Sequence, residues 1–525
     1  MSRITAAANG AGPSRRAVLG GAGLLGLALA LSACAGPTGK REKANTLTLA
    51  LNRSLVSLDN KLNQFDAAVT VQRAVRQGLT AIGEDLQPKM VLAQFFEATG
   101  DTEWTVQLNP KAVYSDGSPV TVEDVKVALE MYQKVEGSFV APQFPEFPTV
   151  KDLGSGRFVL ASKEPIVALP WLMSNILITP AAANKAAELS SGVGSGPYVV
   201  KDADPGTGNY TLDANPNYWA EPKPSIGTVY VRFTPEESSR VTALRTGDVD
   251  VIDSITSDSA TQLQGWRDVQ VESVVGTRYN HFFFNFRKPS THPLSDPAVR
   301  KALTYAVDGN AIAQGIMSGS VTPASGVVPQ TLIGWAETGN YVYDPGKARD
   351  ELAKLGADKL ELNFIWESGE FASDAATMEA LVEMFKQVGV SVKLQQFEPG
   401  GDISKWRRGE AGDWDVLGNG YGNQTGLALT TLQGMYATTA EMEKTRDSYH
   451  GFIVPEVSSL IRRASSEGDE NTRNQLLATA QKKVWDLTPS LWAFIPNAVL
   501  AQSNLIKGMA LTPINSYDLA KVSRA

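Results

Sequence analysis

The chain has 525 residues, a formal net charge of −8 from 48 basic against 56 acidic side chains, and one cysteine. That acidic balance argues against nucleic acid or anionic membrane surfaces as partners. A single cysteine excludes internal disulfides, so the fold must rest on an apolar core, and the length argues for more than one lobe.

The N-terminus reads as an export signal. Arg15-Arg16 precede an uncharged, mostly apolar run of 17 residues, Ala17 to Ala33. The run is shorter than the about 20 residues a spanning helix needs, and its glycines weaken it as a permanent helix. A charged start, an apolar middle and small residues at the end make a secretory signal peptide, residues 1–33. Leu31-Ser32-Ala33-Cys34 resembles the lipobox of bacterial lipoproteins. The resemblance implies cleavage before Cys34, a diacylglycerol on its thiol, and a mature chain held on the outer face of the cell membrane. Ser14 to Leu19 also resembles a twin-arginine export signal. Losing residues 1–33 removes three arginines and no acid, so the mature charge is −11. Residues 34–45 are small and polar and read as a flexible tether.

Order is expected from Thr46-Leu47-Thr48-Leu49-Ala50-Leu51, an alternating strand. Val71, Val75 and Leu79 have helical spacing, and Trp104 to Leu108 alternates as a strand. Tyr114 to Pro119 is a turn, after which Thr121 caps a helix from Val122 to Tyr132. Strands are predicted at 158–160, 197–200, 209–213 and 228–233, and a helix opens at Pro235-Glu236-Glu237 and runs to Thr246. His281 to Phe286 is a continuous apolar run, the pattern of a strand buried on both faces. Helices then alternate with strands: helices 297–307, 345–355, 373–388 and 471–488, and strands 360–366 and 391–397. Such alternation predicts an α/β fold.

Six segments, in one order along the chain, are similar to the family 5 extracellular solute-binding proteins of ABC importers, the oligopeptide- and dipeptide-binding group. They are Val113 to Val125, Gly194-Ser195-Gly196-Pro197-Tyr198, Asn215-Pro216-Asn217-Tyr218-Trp219, Ala243 to Asp250, Asn285-Phe286 with Asp296 to Asp308, and Asp344 to Gly356. The resemblance implies a two-lobed periplasmic-binding-protein-like clamp with three subdomains. Its expected division is lobe I over 46–286 with an inserted subdomain at about 70–195, lobe II over 287–495, and a return to lobe I over 496–525. It further implies a peptide or similar organic solute held between lobes and delivered to a permease and its ATPase subunits, by a binding protein expected to be a monomer. Most motif residues read as fold support; Arg300 and Asp308 are expected at a helix rim and end.

Specificity in that family lies mainly in the second lobe, where a loop acid often binds a peptide's ammonium group. Here the segment Trp414-Asp415-Val416 runs on through Asn419, Tyr421, Asn423 and Gln424 to Thr425, with amides where the carboxylate is expected. Amides donate and accept, which suits hydroxyl-rich or amide-rich ligands better than a lone ammonium, so cello- or xylo-type oligosaccharides are an alternative ligand class. Trp366 at a strand end is either a stacking platform or core, as are Trp406 and Trp414. Glu367 is a candidate replacement for the missing acid. The expected ligand-binding residues are therefore Trp366, Glu367, Asn419, Tyr421, Asn423 and Gln424, with Cys34 as the lipidated residue. A secreted hydrolase is the remaining class. The three histidines are widely spaced, and no HExxH, G-x-S-x-G or P-loop pattern occurs, so no catalytic residue, metal site or cofactor is expected.

Overall fold

A computed structural model describes residues 45–53, 61, 66–136, 138, 140–184, 192–204, 206–399 and 401–525. The signal peptide, Cys34 and the tether through residue 44 lie outside the described residues. Among the described residues no helix is long and apolar enough to cross a membrane.

The fold is the α/β clamp. Twelve strands form one long sheet: β1 Thr46–Leu51, β2 Tyr198–Asp204, β3 Asn209–Ala214, β4 Thr228–Phe233, β5 Val251–Asp253, β6 Val269–Val275, β7 Tyr279–Phe284, β8 Val321–Pro323, β9 Glu361–Glu367, β10 Ser391–Phe397, β11 Val416–Tyr421 and β12 Ser490–Ser503. Their order is β10-β9-β11-β7-β12-β5-β1-β4-β3-β2, with β6 and β8 also paired to β12. In the first lobe β1 is parallel to β4 and β5. In the second, β9 is parallel to β10 and β11. Alternation decides the packing: Leu47, Leu49 and Leu51 enter one core of the first lobe, and Ala50 enters the core on the opposite face. All six residues of β7 are buried, Phe282 and Phe284 toward one core and Tyr279 and Phe283 toward another, as the unbroken apolar run predicts.

β12 belongs to both lobes. Ser490, Ala493 and Phe494 pair with β7, whereas Asn497 to Ser503 pair with β6. The segment 276–278, between β6 and β7, crosses alongside it. The Gly276 N–H donates to the Pro496 carbonyl at 3.1 Å. A Cβ on Gly276 would stand 2.6 Å from that oxygen, so the close approach requires glycine. Two adjacent strands thus carry the chain between lobes, at Gly276 and at Pro496-Asn497. β7 in turn pairs antiparallel with β11. An apolar run shows burial on both faces but not which neighbours supply it.

The inserted subdomain holds a four-stranded antiparallel sheet in the order Ala93–Ala98, Glu103–Leu108, Arg157–Ala161, Thr149–Gly154. Its helix Val122–Lys134 starts with a capping box between Thr121 and Asp124. Val125, Leu129 and Leu160 share one core with Leu432, Ile461 and Val484 of the second lobe. The insertion is therefore packed against second-lobe helices.

The shared motifs act as scaffold. A Cβ at Gly194 would stand 1.9 Å from the Val75 carbonyl oxygen, and one at Gly196 2.3 Å from that of Ala74. Asn215 donates from Nδ2 to the Gly196 carbonyl at 2.8 Å, which ties the second motif to the third. Asp250 accepts from the Thr48 N–H at 2.9 Å and pairs with Arg524 at 2.6 Å, joining β1 to the C-terminal return. Arg300 is not on a helix rim. It is buried and donates to the carbonyls of Leu294, Ser295, Leu487 and Thr488. Asp308 caps a short helix by accepting from the Ala311 N–H.

Candidate functional site

The carboxyl ends of parallel strands are where open α/β sheets bind ligands. Here those ends converge from both lobes. Past β1, Arg53 donates from Nη2 to the carbonyl of Gly369, two residues past β9, at 3.4 Å. β11 ends beside β9 in parallel register, with Trp366 opposite Gly418. The loop 422–427 then leads into the helix Ala428–Tyr436.

Register on β11 sends its polar residues to one side. Asn419 and Tyr421 face Tyr449 and the helix Ala428–Tyr436, while Gly418 and Gly420 face the other side, Gly418 against Met378, Phe282 and Trp366. Asn419 Nδ2 donates to the Tyr449 hydroxyl at 3.2 Å, and the His281 Nε2 lies 2.9 Å from the same oxygen. This cluster is buried. Burial, followed by the charges of Arg278 and Arg407, holds the His281 imidazole neutral, with its pKa pushed down to about 3. His450 is pushed down for the same first reason. The Tyr421 ring stands edge-on to Tyr449, with centroids 5.9 Å apart. Its hydroxyl rests against Gly434, and burial pushes its pKa up to about 12.

Asn423 is the internal staple of the loop. Its Oδ1 accepts from the Thr425 N–H, the Thr425 hydroxyl and the Gly426 N–H at 2.8–3.0 Å. Its Nδ2 donates to the Leu427 carbonyl and the Thr431 hydroxyl, both at 2.8 Å. The Asn423 carbonyl accepts from the Thr277 hydroxyl at 2.6 Å. Thr277 lies in the crossing segment, so the loop is fastened to that segment. Gln424 and Glu367 are half-buried. Trp366 is 3% exposed and sits in the second-lobe core. Trp414 is buried and donates from Nε1 to the Trp406 carbonyl at 2.8 Å, within a cluster with Ile365 and Leu417. Neither Trp366 nor Trp414 offers a face to a ligand.

Two charged residues that no motif marks stand beside these strand ends. Arg278, in the crossing segment, pairs from Nη2 with Glu370 Oε1 at 2.5 Å. Glu370 follows the end of β9 by three residues, past Glu367. The available signal for Arg278 was its place as the lone charge between two strands, directly after Gly276-Thr277. Among the described residues no cluster of His, Cys, Asp and Glu is arranged to hold a metal ion.

Residues 85–443 match the bacterial extracellular solute-binding proteins, family 5. The chain belongs to that family. It is 26% identical to the probable D,D-dipeptide-binding periplasmic protein DdpA of Escherichia coli K12 over 438 residues, covering 81% of this chain and 82% of the relative. It is 23% identical to the glutathione-binding protein GsiB of the same organism over 514 residues, 94% and 96% of the two chains. Among solved structures it resembles the PBP AgaA of A. tumefaciens R10 in complex with agropinic acid, with a TM-score of 0.77 at 23% identity over 91% of this chain and 99% of the other. The family and these relatives are solute-binding proteins, not enzymes.

Proposed function

We propose that this chain is the lipid-anchored, extracytoplasmic binding component of an ABC importer. It takes a peptide or similar organic solute between its lobes and passes it to a membrane permease and its ATPase subunits. The observation that carries this reading is the convergence of parallel-strand ends from both lobes, at Arg53 and Gly369, across a junction of two adjacent crossing strands. A junction of that form allows the lobes to close over a ligand by hinge bending. The relatives named for a dipeptide and for glutathione support a peptide-type ligand. Tyr421, Gln424 and Glu367 are the predicted contacts with partly open side chains, and Asn419, Asn423 and Trp366 shape the pocket from beneath. With the amides of Asn419 and Asn423 committed to internal bonds, the sugar reading loses the feature that favoured it. Cys34 supplies the membrane attachment.

A thermal-shift screen of the mature chain against di- and tripeptides and cello- and xylo-oligomers tests the reading. Ligand at a hundredfold over Kd stabilises by about 2.7 kcal/mol. With an unfolding entropy near 1 kcal/mol/K for roughly 480 residues, that raises Tm by about 2–3 °C. Stabilisation by oligosaccharides and by no peptide would refute the proposal.

A further inference from the structure

We propose that Arg278 is the residue of this pocket that binds a ligand carboxylate, and that Glu370 and Asn280 position it. The inference rests on the reading of the chain as a binding protein and adds the charge that its ligand must carry.

The guanidinium is fixed at two corners. Its Nε donates to Asn280 Oδ1 at 2.9 Å and its Nη2 to Glu370 Oε1 at 2.5 Å. Its Nη1 makes no hydrogen bond among the described residues. The group lies close against the backbone of β11. A Cβ at Gly420 would stand 2.4 Å from Nη2 and 2.6 Å from Nε, and one at Gly422 would be 3.8 Å from Nη1. A side chain at Gly420 would lift the guanidinium off the strand, whereas Gly422 leaves Nη1 in ordinary van der Waals contact. Arg278 remains 39% exposed while Glu370 is 13% exposed, so the cation faces the open side and its acid partner lies behind it.

The location favours ligand contact over a plain surface ion pair. Arg278 lies in the hinge segment, its partner is one residue from Gly369, where Arg53 arrives from the first lobe, and its glycine floor is the strand leading into the 422–427 loop. Guanidinium offers five N–H groups in a planar fork that matches a carboxylate. With two of them spent on orientation, the Nη1 pair and the second Nη2 hydrogen remain for an incoming anion. A donor set held in place before binding loses little freedom on complex formation. Glu370 also neutralises the arginine in the empty protein, so recognition depends on fork geometry more than on bulk attraction.

The test compares dialanine and trialanine as free acids with the same peptides as C-terminal amides. The mature chain is titrated by calorimetry, as wild type and as Arg278→Gln, Arg278→Lys and Glu370→Gln, with the ligand-free Tm recorded for each. Wild type is expected to prefer acid over amide by about 10- to 100-fold, the range for a hydrogen bond to a charged group. R278Q should lose that preference through the acid alone, leaving amide affinity within about threefold. R278K should keep part of it, because lysine retains charge but not the fork. E370Q should lower acid affinity more than amide affinity, whereas a role confined to folding would lower both. Binding of no peptide by the wild type would overturn the parent reading and this inference together. Peptide binding with an acid-to-amide ratio near one in the wild type, or with the wild-type ratio kept in R278Q and R278K, would overturn this inference alone.

Discussion

Replacing Asn423 with alanine removes five hydrogen bonds from one buried side chain. Two of the lost partners are backbone N–H groups, those of Thr425 and Gly426, which a methyl group cannot satisfy. A neutral hydrogen bond contributes about 1 kcal/mol net, and an orphaned buried donor costs about 1–3 kcal/mol. Five bonds set a scale of about 5 kcal/mol, and water entering the small void recovers part of it, so the expected loss is about 3–5 kcal/mol. That is a large fraction of the about 5–15 kcal/mol that keeps a domain folded. Divided by an unfolding entropy near 1 kcal/mol/K for roughly 480 residues, it lowers Tm by about 3–5 °C. Differential scanning calorimetry on the ligand-free mature chain measures it. The backbone carbonyl that accepts from the Thr277 hydroxyl is kept by alanine, but the loop around it loses its side-chain staple, so proteolysis within 422–427 should accelerate. A Tm unchanged within about 1 °C, with ligand affinity abolished, would refute the staple and make Asn423 a direct ligand contact.

Four further outcomes are expected. His281 is held neutral, with its folded pKa near 3 below the unfolded 6.5, so the unfolded chain binds the extra proton and stability falls as pH drops through that window. By pH 4 the loss is about 3 kcal/mol; urea titrations of wild type and His281→Gln at pH 7 and pH 4 should show a shallower acid loss in the variant. Gly196→Ala would press a methyl group onto the Ala74 carbonyl, and soluble expression should collapse. Arg300→Met strips four carbonyls of their donor and should cost about 3 kcal/mol or more in chemical denaturation; a cost under about 1 kcal/mol would show that the carbonyls find other partners. Cys34→Ser should leave the protein unlabelled by radioactive lipid precursors and shift it from the membrane to the soluble fraction. Continued labelling would refute the lipid anchor.

Short-range patterns were legible because their cause is local. Alternation placed Thr46 to Leu51, and Thr121 with Asp124 set a helix start through a capping box that needs four residues. The motif glycines were recognisable, although the reason for them, the close passage of Val75 and Ala74, is visible only in three dimensions. β12 was not legible. Buried on both faces, Ser490 to Ser503 has no period of two, and Pro496 reads as a break in any strand placed amid a sheet. In the fold that proline stands where the strand changes lobes, next to Gly276. The site shows the same division. The polar residues of the 416–425 segment were identifiable, but the side to which each points is set by the register of β11 against β7 and β9.

The same register explains why the Asn419 amide is spent on bonds inside the protein. One side of β11 bears Asn419 and Tyr421, which are drawn under the helices into the Tyr449 cluster. The other side bears glycines, and a glycine face can present only what another element lays upon it. That element is Arg278, which reaches across from the hinge and is braced by Glu370. On the proposed reading, the charge that meets the ligand belongs to the segment 276–278 rather than to the loop 422–427. Lobe closure and charge recognition would then act on the same three residues, 276–278. A substitution that stiffens the hinge should weaken binding of acids more than of their amides, because only the acids depend on where Arg278 is carried as the lobes close.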